Sequence, residues 1–152
     1  MSFYNNPEHF LHKKLNHLES IGIEGKGDGF TNYLNEKGIP CEGSYWQKDH
    51  SKIDWNKVDN HYQFFFDYIG NENQISEFLR KSIINQYKFL ETWISWEDPI
   101  VRILTKDFIE NWDDFQIAGV DGLVLISEDG KYFLEFTDDW KYHLNSNFVI
   151  KV

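Results

Sequence analysis

The sequence is poor in cysteine and in basic residues, and both shortages exclude classes of protein. Its single cysteine, Cys41, excludes an intrachain disulfide and favours a reducing compartment. The chain has 15 Lys and Arg residues against 25 Asp and Glu, so its formal net charge is −10. Proteins that bind nucleic acid are usually basic, and we therefore expect no nucleic-acid partner. The charge suits solubility or a basic protein partner.

Long hydrophobic runs are also missing. No stretch approaches the roughly 18 apolar residues that a membrane span needs. The first residues lack the basic start and apolar segment of a secretory signal peptide, so we expect a cytoplasmic protein without a membrane partner. The chain has three prolines, and no Pro-rich or Ser-rich linker divides it. Residues 1–152 are expected to form one domain.

The strongest local pattern, in residues 119–148, predicts an antiparallel β-meander. Asp129-Gly130 stands between two apolar runs. This dipeptide is typical of a two-residue hairpin turn, which needs positive φ. The resulting register pairs Leu125 with Leu134 and makes one face of the hairpin apolar. The residues of that face are Leu123, Leu125, Tyr132, Leu134 and Phe136.

The opposite face of the hairpin carries one anomaly, Glu135. This carboxylate interrupts an apolar face formed by Val124, Ile126 and Phe133. It is either a buried hydrogen-bond partner, with Tyr142 as the candidate donor, or an exposed contact for a cationic group. We favour the structural interpretation.

A third strand of the meander is predicted from Trp140 to Leu144, where the residues alternate at period two. A two-residue turn before this strand would place Lys141 and His143 on the apolar face. A longer or bulged turn is therefore expected.

Four helices are predicted outside the meander. The first begins at Asn6-Pro7 and runs to about Glu19, and a short second helix follows Asp28 and stops at Gly38. The clearest helix starts near Gln74 and reaches the low nineties, with one apolar stripe. Thr105 can cap the last helix. Residues 62–69 fit either a buried strand or a helix end. The predicted fold class is α+β, with the C-terminal sheet packed against a few helices.

Residues that often carry chemistry form no convincing site. His9 and His12 are spaced i, i+3 on the predicted first helix, where a solvated face is the better interpretation than a metal site. Cys41 has no catalytic signature. The glycine-rich loop 25–29 lacks the ending of a phosphate loop and is interpreted as a flexible connector. We therefore predict no catalytic residue, no cofactor and no metal.

Acidic residues beside aromatic residues form the remaining candidate site. Turns collect Asp for local reasons, but a Trp anchor ringed by carboxylates also suits a basic protein partner. Trp112 and Trp140 are the candidate anchors, and the alternative is that both belong to the core. The candidate partner-binding residues are Asp113, Asp114, Glu128, Asp129, Asp138, Asp139 and Trp140.

The C-terminal residues resemble small bacterial immunity proteins, the antitoxins of polymorphic or contact-dependent toxin systems. The resemblance covers roughly residues 112–148, and the following segments carry it: Trp112-Asp113-Asp114-Phe115, residues 121–127, Asp129-Gly130-Lys131-Tyr132, residues 135–139 and Ser146-Asn147-Phe148. It implies a protein that binds and blocks one cognate toxin without catalysis. Contact residues vary among such proteins, so the resemblance assigns no role to any residue here.

The expected function is therefore that of a non-catalytic antitoxin that occludes a basic, nuclease-type toxin domain. One alternative is a small hydrolase whose site forms only in the fold, and it requires a cleft where His and carboxylates converge. A further alternative is an acidic inhibitor that mimics nucleic acid, and it requires carboxylates spaced like phosphates along a groove.

Overall fold

One antiparallel sheet organises the computed structural model, which describes residues 2–41, 51–66, 72–119, 122–137 and 142–150. The seven strands in these residues are β1 (Leu18–Glu24), β2 (Tyr62–Phe66), β3 (Phe89–Thr92), β4 (Pro99–Leu104), β5 (Leu123–Ser127), β6 (Phe133–Thr137) and β7 (Tyr142–Ser146). Their order across the sheet is β1-β4-β3-β5-β6-β7-β2, and every neighbouring pair is antiparallel.

Short helices cover the sheet. The α-helices of the described residues are α1 (Gly29–Glu36), α2 (Glu72–Lys81), α3 (Thr105–Glu110) and α4 (Trp112–Ala118), and 3₁₀ helices span Phe10–Lys14, Trp55–Lys57 and Ile83–Gln86. The predicted α+β class is confirmed. No helix within the described ranges is long and apolar enough to cross a membrane.

The two faces of the sheet bury two separate apolar clusters. On one face, α2, α3, α4 and the N-terminal segment pack against a cluster that includes Leu125 and Leu134. On the other face, α1 and residues 51–58 pack against Val124, Ile126 and Phe133. The predicted division of the hairpin into two faces is confirmed, because alternate residues of a strand point to opposite sides.

The β5–β6 hairpin has the predicted register, but its turn begins earlier than predicted. Leu125 pairs with Leu134, as expected. The Gly130 N–H donates to the Ser127 carbonyl at 2.9 Å, so Glu128 and Asp129 are the central residues of the turn. The turn begins earlier because Asp129 Oδ1 accepts hydrogen bonds from the Ser127 hydroxyl at 2.8 Å and the Lys131 N–H at 3.0 Å. Gly130 has the predicted positive φ, +75°.

Replacing Gly130 with valine is expected to lower the free energy of unfolding by about 1–2 kcal/mol, because a β-branched residue is strained at positive φ. A Cβ atom here would also lie 3.1 Å from Lys37 Cδ. Denaturation curves of Gly130→Val and of Lys131→Val, its exposed neighbour, measure the effect. The Lys131 variant should differ from the parent by less than about 0.5 kcal/mol. Superimposable curves for Gly130→Val and the parent would contradict the turn geometry.

The turn between β6 and β7 is longer than two residues, as predicted. Phe136 pairs with Leu144, which keeps Leu144 on the same core face. Residues 138–141, which include the predicted start of this strand at Trp140, lie outside the described residues.

The predicted N-terminal helix is wrong in type and extent. Only the 3₁₀ helix Phe10–Lys14 forms, and Leu15 is already extended. The next segment is held in place by Asp107, whose carboxylate accepts from the Asn16 N–H at 2.6 Å. β1 then begins at Leu18 and pairs with β4. A partner strand, which a local pattern cannot show, overrides the helical spacing.

The predicted long helix from Gln74 is also too long. α2 ends at Lys81, because Ser82 takes an extended conformation and its hydroxyl donates to the Leu79 carbonyl at 2.7 Å. Leu90 keeps the helical spacing by coincidence, since it lies in β3 and pairs with Ile103. Thr105 is the first residue of α3, and the N-cap position is Leu104.

One other prediction is confirmed, and one open alternative is decided. α1 ends at Glu36, and Gly38, the predicted stop, has φ +81°, while the Ile39 N–H donates to the Leu34 carbonyl at 2.9 Å. Of the two alternatives for residues 62–69, a strand forms at Tyr62–Phe66, but it is an edge strand on which Tyr62 and Phe65 are exposed.

Candidate functional site

The candidate carboxylates Asp113 and Asp114 lie in the first turn of α4, and both are half-buried. Asp114 Oδ2 lies 3.9 Å from Lys14 Nζ. Burial, together with the negative charge of Asp113, raises the pKa of Asp114. The two residues form an acidic pair that is partly open to solvent and has a lysine beside it.

Trp112, the adjacent candidate anchor, belongs to the core. It is 1% exposed, and its ring stacks on Phe136 at a centroid distance of 5.5 Å and an interplanar angle of 9°. Its indole N–H donates to the Glu72 carbonyl at 2.9 Å. A buried indole needs such an acceptor. The interpretation of Trp112 as an exposed partner-binding anchor is therefore wrong.

The candidate residues Glu128 and Asp129 lie in the β5–β6 turn and are exposed. The Asp129 carboxylate also accepts from the Tyr87 hydroxyl at 2.8 Å. Burial alone raises the pKa of Asp129, but the hydrogen bonds from Lys131, Ser127 and Tyr87 outweigh it, and the net pKa is lowered. Asp129 therefore has a structural use in its own turn.

The candidate carboxylates do not share one small region. The β5–β6 turn precedes β6, and residues 138–140 follow the other end of this strand. A five-residue strand spans roughly 17 Å. Trp112 stacks on Phe136, which lies near the C-terminal end of β6. The start of α4 is therefore near this end of β6, which residue 138 follows. Asp138, Asp139 and Trp140 themselves lie outside the described residues. Glu128 and Asp129 are at the opposite end of the sheet from Asp113 and Asp114.

Four buried carboxylates form a second set of charged residues, and each joins segments that are far apart in the sequence. They are Glu91, Asp98, Asp107 and Glu135, all between 0% and 2% exposed. Sequence reasoning singled out only Glu135. An ionised carboxylate is stable in a protein interior only if several donors surround it, and each of these residues has them.

Glu135 fastens residues 51–55 to the sheet. Its carboxylate accepts from the Ser51 hydroxyl, from the Lys52 N–H at 2.7 Å and from the Trp55 indole N–H at 2.8 Å. Burial raises the pKa of Glu135 above its ordinary value. The structural interpretation of Glu135 is confirmed. The exposed alternative is wrong, since Glu135 is 0% exposed, and the expected partner Tyr142 has no described side chain.

A histidine lies beside this anchor. The His61 ring stacks on Trp55 at a centroid distance of 4.8 Å, and His61 Nε2 lies 2.8 Å from Asn145 Oδ1. Both Glu135 oxygens already accept hydrogen bonds from residues 51–55. The arrangement holds a segment in place, and these hydrogen bonds keep the Glu135 carboxylate from acid–base chemistry with His61.

Glu91 is the centre of a charged row across three strands. In register, Glu19 of β1 pairs with Arg102 of β4, and Arg102 pairs with Glu91 of β3. Arg102 donates to both carboxylates at 3.1 Å. The Tyr33 hydroxyl of α1 also donates to Glu91, and burial together with this hydrogen bond raises the pKa of Tyr33. The row fixes α1 on the sheet.

Asp98 and Asp107 fasten the N-terminal residues. Asp98 accepts from the Tyr4 N–H at 3.1 Å, and Asp107 accepts from the Asn16 side-chain amide at 2.8 Å. The one sequence feature that could have indicated Asp98 is its position before Pro99, because an Asp at such a position often forms a turn. The Ser95 hydroxyl donates to it at 2.8 Å. Nothing in the neighbouring sequence indicates its long-range partner, the Tyr4 N–H.

The two end glycines of the glycine-rich loop are closely packed, whereas residues 26–28 between them are exposed, so the interpretation as a flexible connector stays a prediction for these three residues. A Cβ atom on Gly25 would lie 2.1 Å from the Trp93 ring, and one on Gly29 would lie 1.9 Å from the Glu24 carbonyl oxygen. The Gly25 N–H donates to the Asp98 carbonyl at 3.3 Å. The glycines allow β1 to turn tightly into α1.

The histidines expected on a solvated helix face contact the backbone instead. His9 Nδ1 accepts from the Leu11 N–H at 3.1 Å, and His12 Nε2 lies 2.7 Å from the Phe3 carbonyl oxygen. Within the described ranges, no three His, Cys, Asp or Glu residues are grouped as a metal site would require.

Comparison of the chain with known protein families, curated proteins and solved structures finds no match.

Proposed function

We propose that this chain is a non-catalytic immunity-type protein that binds and blocks a basic, nuclease-type toxin domain in the cytoplasm. The observation that carries the proposal is a difference between two groups of carboxylates, one buried and one open to solvent. The four buried ones bond to the chain's own donors, whereas Asp113 and Asp114 are partly open to solvent in a chain of net charge −10. Exposed carboxylates steer and orient a basic partner.

The arrangement supports binding better than hydrolysis. A general acid or base must lie within hydrogen-bond reach of a substrate. Among the described residues, His61 lies near the buried carboxylate Glu135, but the donors of residues 51–55 occupy that carboxylate. A groove of about 150 Å³ lies between β2, β7 and Val149, and its lining contains no His, Lys, Asp or Glu.

Reversing both charges in Asp113→Lys/Asp114→Lys is expected to weaken toxin binding at least about 30-fold, the effect of losing roughly 2 kcal/mol at a hot spot. Asp138→Lys/Asp139→Lys should have a similar effect if the nearby turn shares the interface. The probe is the purified product of the neighbouring upstream reading frame, which the proposal expects to contain a toxin domain. The measurement is surface plasmon resonance from about 50 to about 500 mM salt, over which the parent's on-rate should fall steeply.

The matched control is Glu24→Lys/Asp28→Lys, which makes the same change in net charge. Both residues are exposed and lie where β1 leads into α1, and three strands separate β1 from β6, the strand beside the start of α4. This control variant should keep most of the parent's affinity for the toxin domain. Circular dichroism checks that all variants are folded. If Asp113→Lys/Asp114→Lys, Asp138→Lys/Asp139→Lys and the parent all bind and protect equally, the interface lies elsewhere. A salt-independent on-rate would contradict electrostatic steering. If the neighbouring protein does not bind at all, the immunity proposal itself is wrong.

A further inference from the structure

His9 caps the 3₁₀ helix Phe10–Lys14 through an atom that can also take up a proton. Its Nδ1 accepts a hydrogen bond from the Leu11 N–H at 3.1 Å. A histidine nitrogen accepts only while it carries no proton of its own. A proton on Nδ1 would turn this acceptor into a donor facing the Leu11 N–H, and the cap would be lost. The folded helix therefore requires His9 to be neutral at Nδ1.

His12, in the same helix, does not share this requirement. Its Nε2 lies 2.7 Å from the Phe3 carbonyl oxygen. A carbonyl oxygen only accepts, so the hydrogen is on Nε2, and an imidazole can donate from this atom whether it is neutral or protonated. The bond that a proton breaks is therefore the one at His9.

The surroundings of His9 oppose its protonation. Charged and titratable residues near this helix come from its own segment, from the loop between β3 and β4, and from α4. They are Glu8, His12, Lys13, Lys14, Asp98 and Asp114. Burial and the charge of His12 lower the pKa of His9, and they outweigh the opposing charge of Asp98. The folded helix therefore binds a proton at His9 less readily than the unfolded segment does.

Two carboxylate anchors limit how far the N-terminal segment can open. Asp98 accepts from the Tyr4 N–H before the helix, and Asp107 accepts from the Asn16 N–H after it. Neither anchor involves a histidine. Between them lies a 3₁₀ helix of only five residues, and such helices have poorer hydrogen-bond geometry than α-helices. Loss of the cap therefore affects the part of this segment that is held least firmly.

We propose that the 3₁₀ helix Phe10–Lys14 is a pH-sensitive switch, which opens when His9 gains a proton while both carboxylate anchors stay in place. Opening withdraws Leu11, which is 0% exposed, from the core cluster that α4 also covers. It also separates Lys14 from Asp114, which are 3.9 Å apart when the helix is closed. Protonation of one histidine thereby changes both the packing beneath α4 and the charge beside its acidic pair.

Hydrogen exchange, corrected for the intrinsic effect of pH, measures the opening. The amides to follow are those of Leu11, His12 and Leu15, which all bond within this helix and its cap. The pKa of His9 lies below its ordinary value of 6.5, so the stabilisation is present above this pH and is lost as the pH falls through the folded pKa. Between about pH 7.5 and about pH 5, protection should fall at least about threefold, the smaller end of the effect of losing an N-cap.

His9→Asn separates the cap from the titration. Asparagine also accepts at an N-cap but does not titrate, so this variant should match the parent at about pH 7.5 and keep its protection at about pH 5. The matched control is His61→Asn, which removes a histidine that stacks on Trp55 instead. It should show the same pH dependence in the N-terminal helix as the parent. An NMR titration of the His9 ring protons should give a midpoint below 6.5.

Four results would overturn the proposal. One is equal protection of the parent's helix at both pH values, and another is a His9→Asn variant that loses protection in acid as the parent does. A His9 midpoint above 6.5 would mean that protonation stabilises the folded helix. Equal loss of protection at the Tyr4 and Asn16 amides would show that the whole segment detaches, and that the anchors do not confine the opening.

Discussion

Replacing Glu135 with alanine is expected to lower the free energy of unfolding by roughly 3–5 kcal/mol, the range for removing one partner of a buried charged network. The substitution leaves the Ser51 hydroxyl, the Lys52 N–H and the Trp55 indole N–H without their acceptor. All three donors come from one short segment. Urea denaturation measures the loss, and hydrogen exchange should show residues 51–55 opening before the β5–β6 pairing does.

Glu135→Gln separates the charge from the hydrogen bonds. The amide oxygen can still accept from the Ser51 hydroxyl and the Trp55 indole, which both bond to Oε1, and only the Lys52 N–H on Oε2 loses its acceptor. The expected loss is therefore smaller, about 1–2 kcal/mol. Thr137→Ala provides a control two residues away on the same strand. Its side chain is also buried, but it accepts none of the hydrogen bonds from residues 51–55. It should leave exchange in that segment close to that of the parent.

The pH dependence follows from the direction of the pKa shift. Burial raises the pKa of Glu135 in the folded protein above its ordinary value of 4.5. The folded state therefore holds this proton more tightly than the unfolded chain does. The contribution of Glu135 to stability is largest below pH 4.5 and declines as the pH rises through the folded pKa. Relative to Glu135→Gln, the parent should lose stability as the pH rises from about 4 to about 7.

Two observations would contradict this account of Glu135. One is that the difference in unfolding free energy between the parent and Glu135→Gln is the same at every pH. The other is a Glu135→Ala variant in which residues 51–55 exchange as slowly as in the parent.

The β-meander could be predicted because its information is local. The Asp129-Gly130 dipeptide and the alternation around it determine which residues of β5 and β6 face each other. The same register identified Glu135 as an exception on an apolar face. The exact turn was missed, because the side chain of Asp129 hydrogen-bonds within the turn and shifts it by one residue.

The remaining strands depend on partners that a local pattern does not contain. The first residues of β1, Leu18 and Glu19, were predicted as the end of a helix, yet the strand forms against β4, more than 70 residues away in the sequence. Leu90 fitted the stripe of α2 and lies in β3 instead. Helical spacing over a few residues is therefore weak evidence when a strand with a distant partner satisfies the same apolar positions.

The other three buried carboxylates, and the donors that surround Glu135, were missed for the same reason. The donors to Glu135 are 80 to 84 residues away, and Asp107 and Asn16 are 91 residues apart. In the sequence, Glu91 and Asp107 look like ordinary charged residues. What makes them important is the burial of each one under a distant segment. The acidic pair Asp113 and Asp114 was chosen as a candidate because it lies beside Trp112, but Trp112 is buried in the core and is not a partner-binding anchor.

Replacing Gly25 with alanine is expected to lower the free energy of unfolding by roughly 3–5 kcal/mol, because overpacking and a lost hydrogen bond act together. The added Cβ atom would lie 2.1 Å from Trp93 Nε1, on a ring that is only 5% exposed. Moving that ring breaks its hydrogen bond to the Asp98 carbonyl, which has a length of 3.0 Å. Thermal and urea denaturation measure the loss.

Gly27→Ala is the matched control in the same loop. Gly27 has φ +66° and open space around its Cβ position, so only backbone strain of about 1–2 kcal/mol is expected. A double-mutant cycle with Trp93→Leu tests the cause of the larger effect. If the clash with the indole is responsible, Gly25→Ala should destabilise the Trp93→Leu background by only about 1 kcal/mol. Equal losses in both backgrounds would show that the clash with Trp93 is not the cause. A Gly25→Ala variant as stable as Gly27→Ala would show that the loop can move away from the ring, as expected of a flexible connector and not of a packed turn.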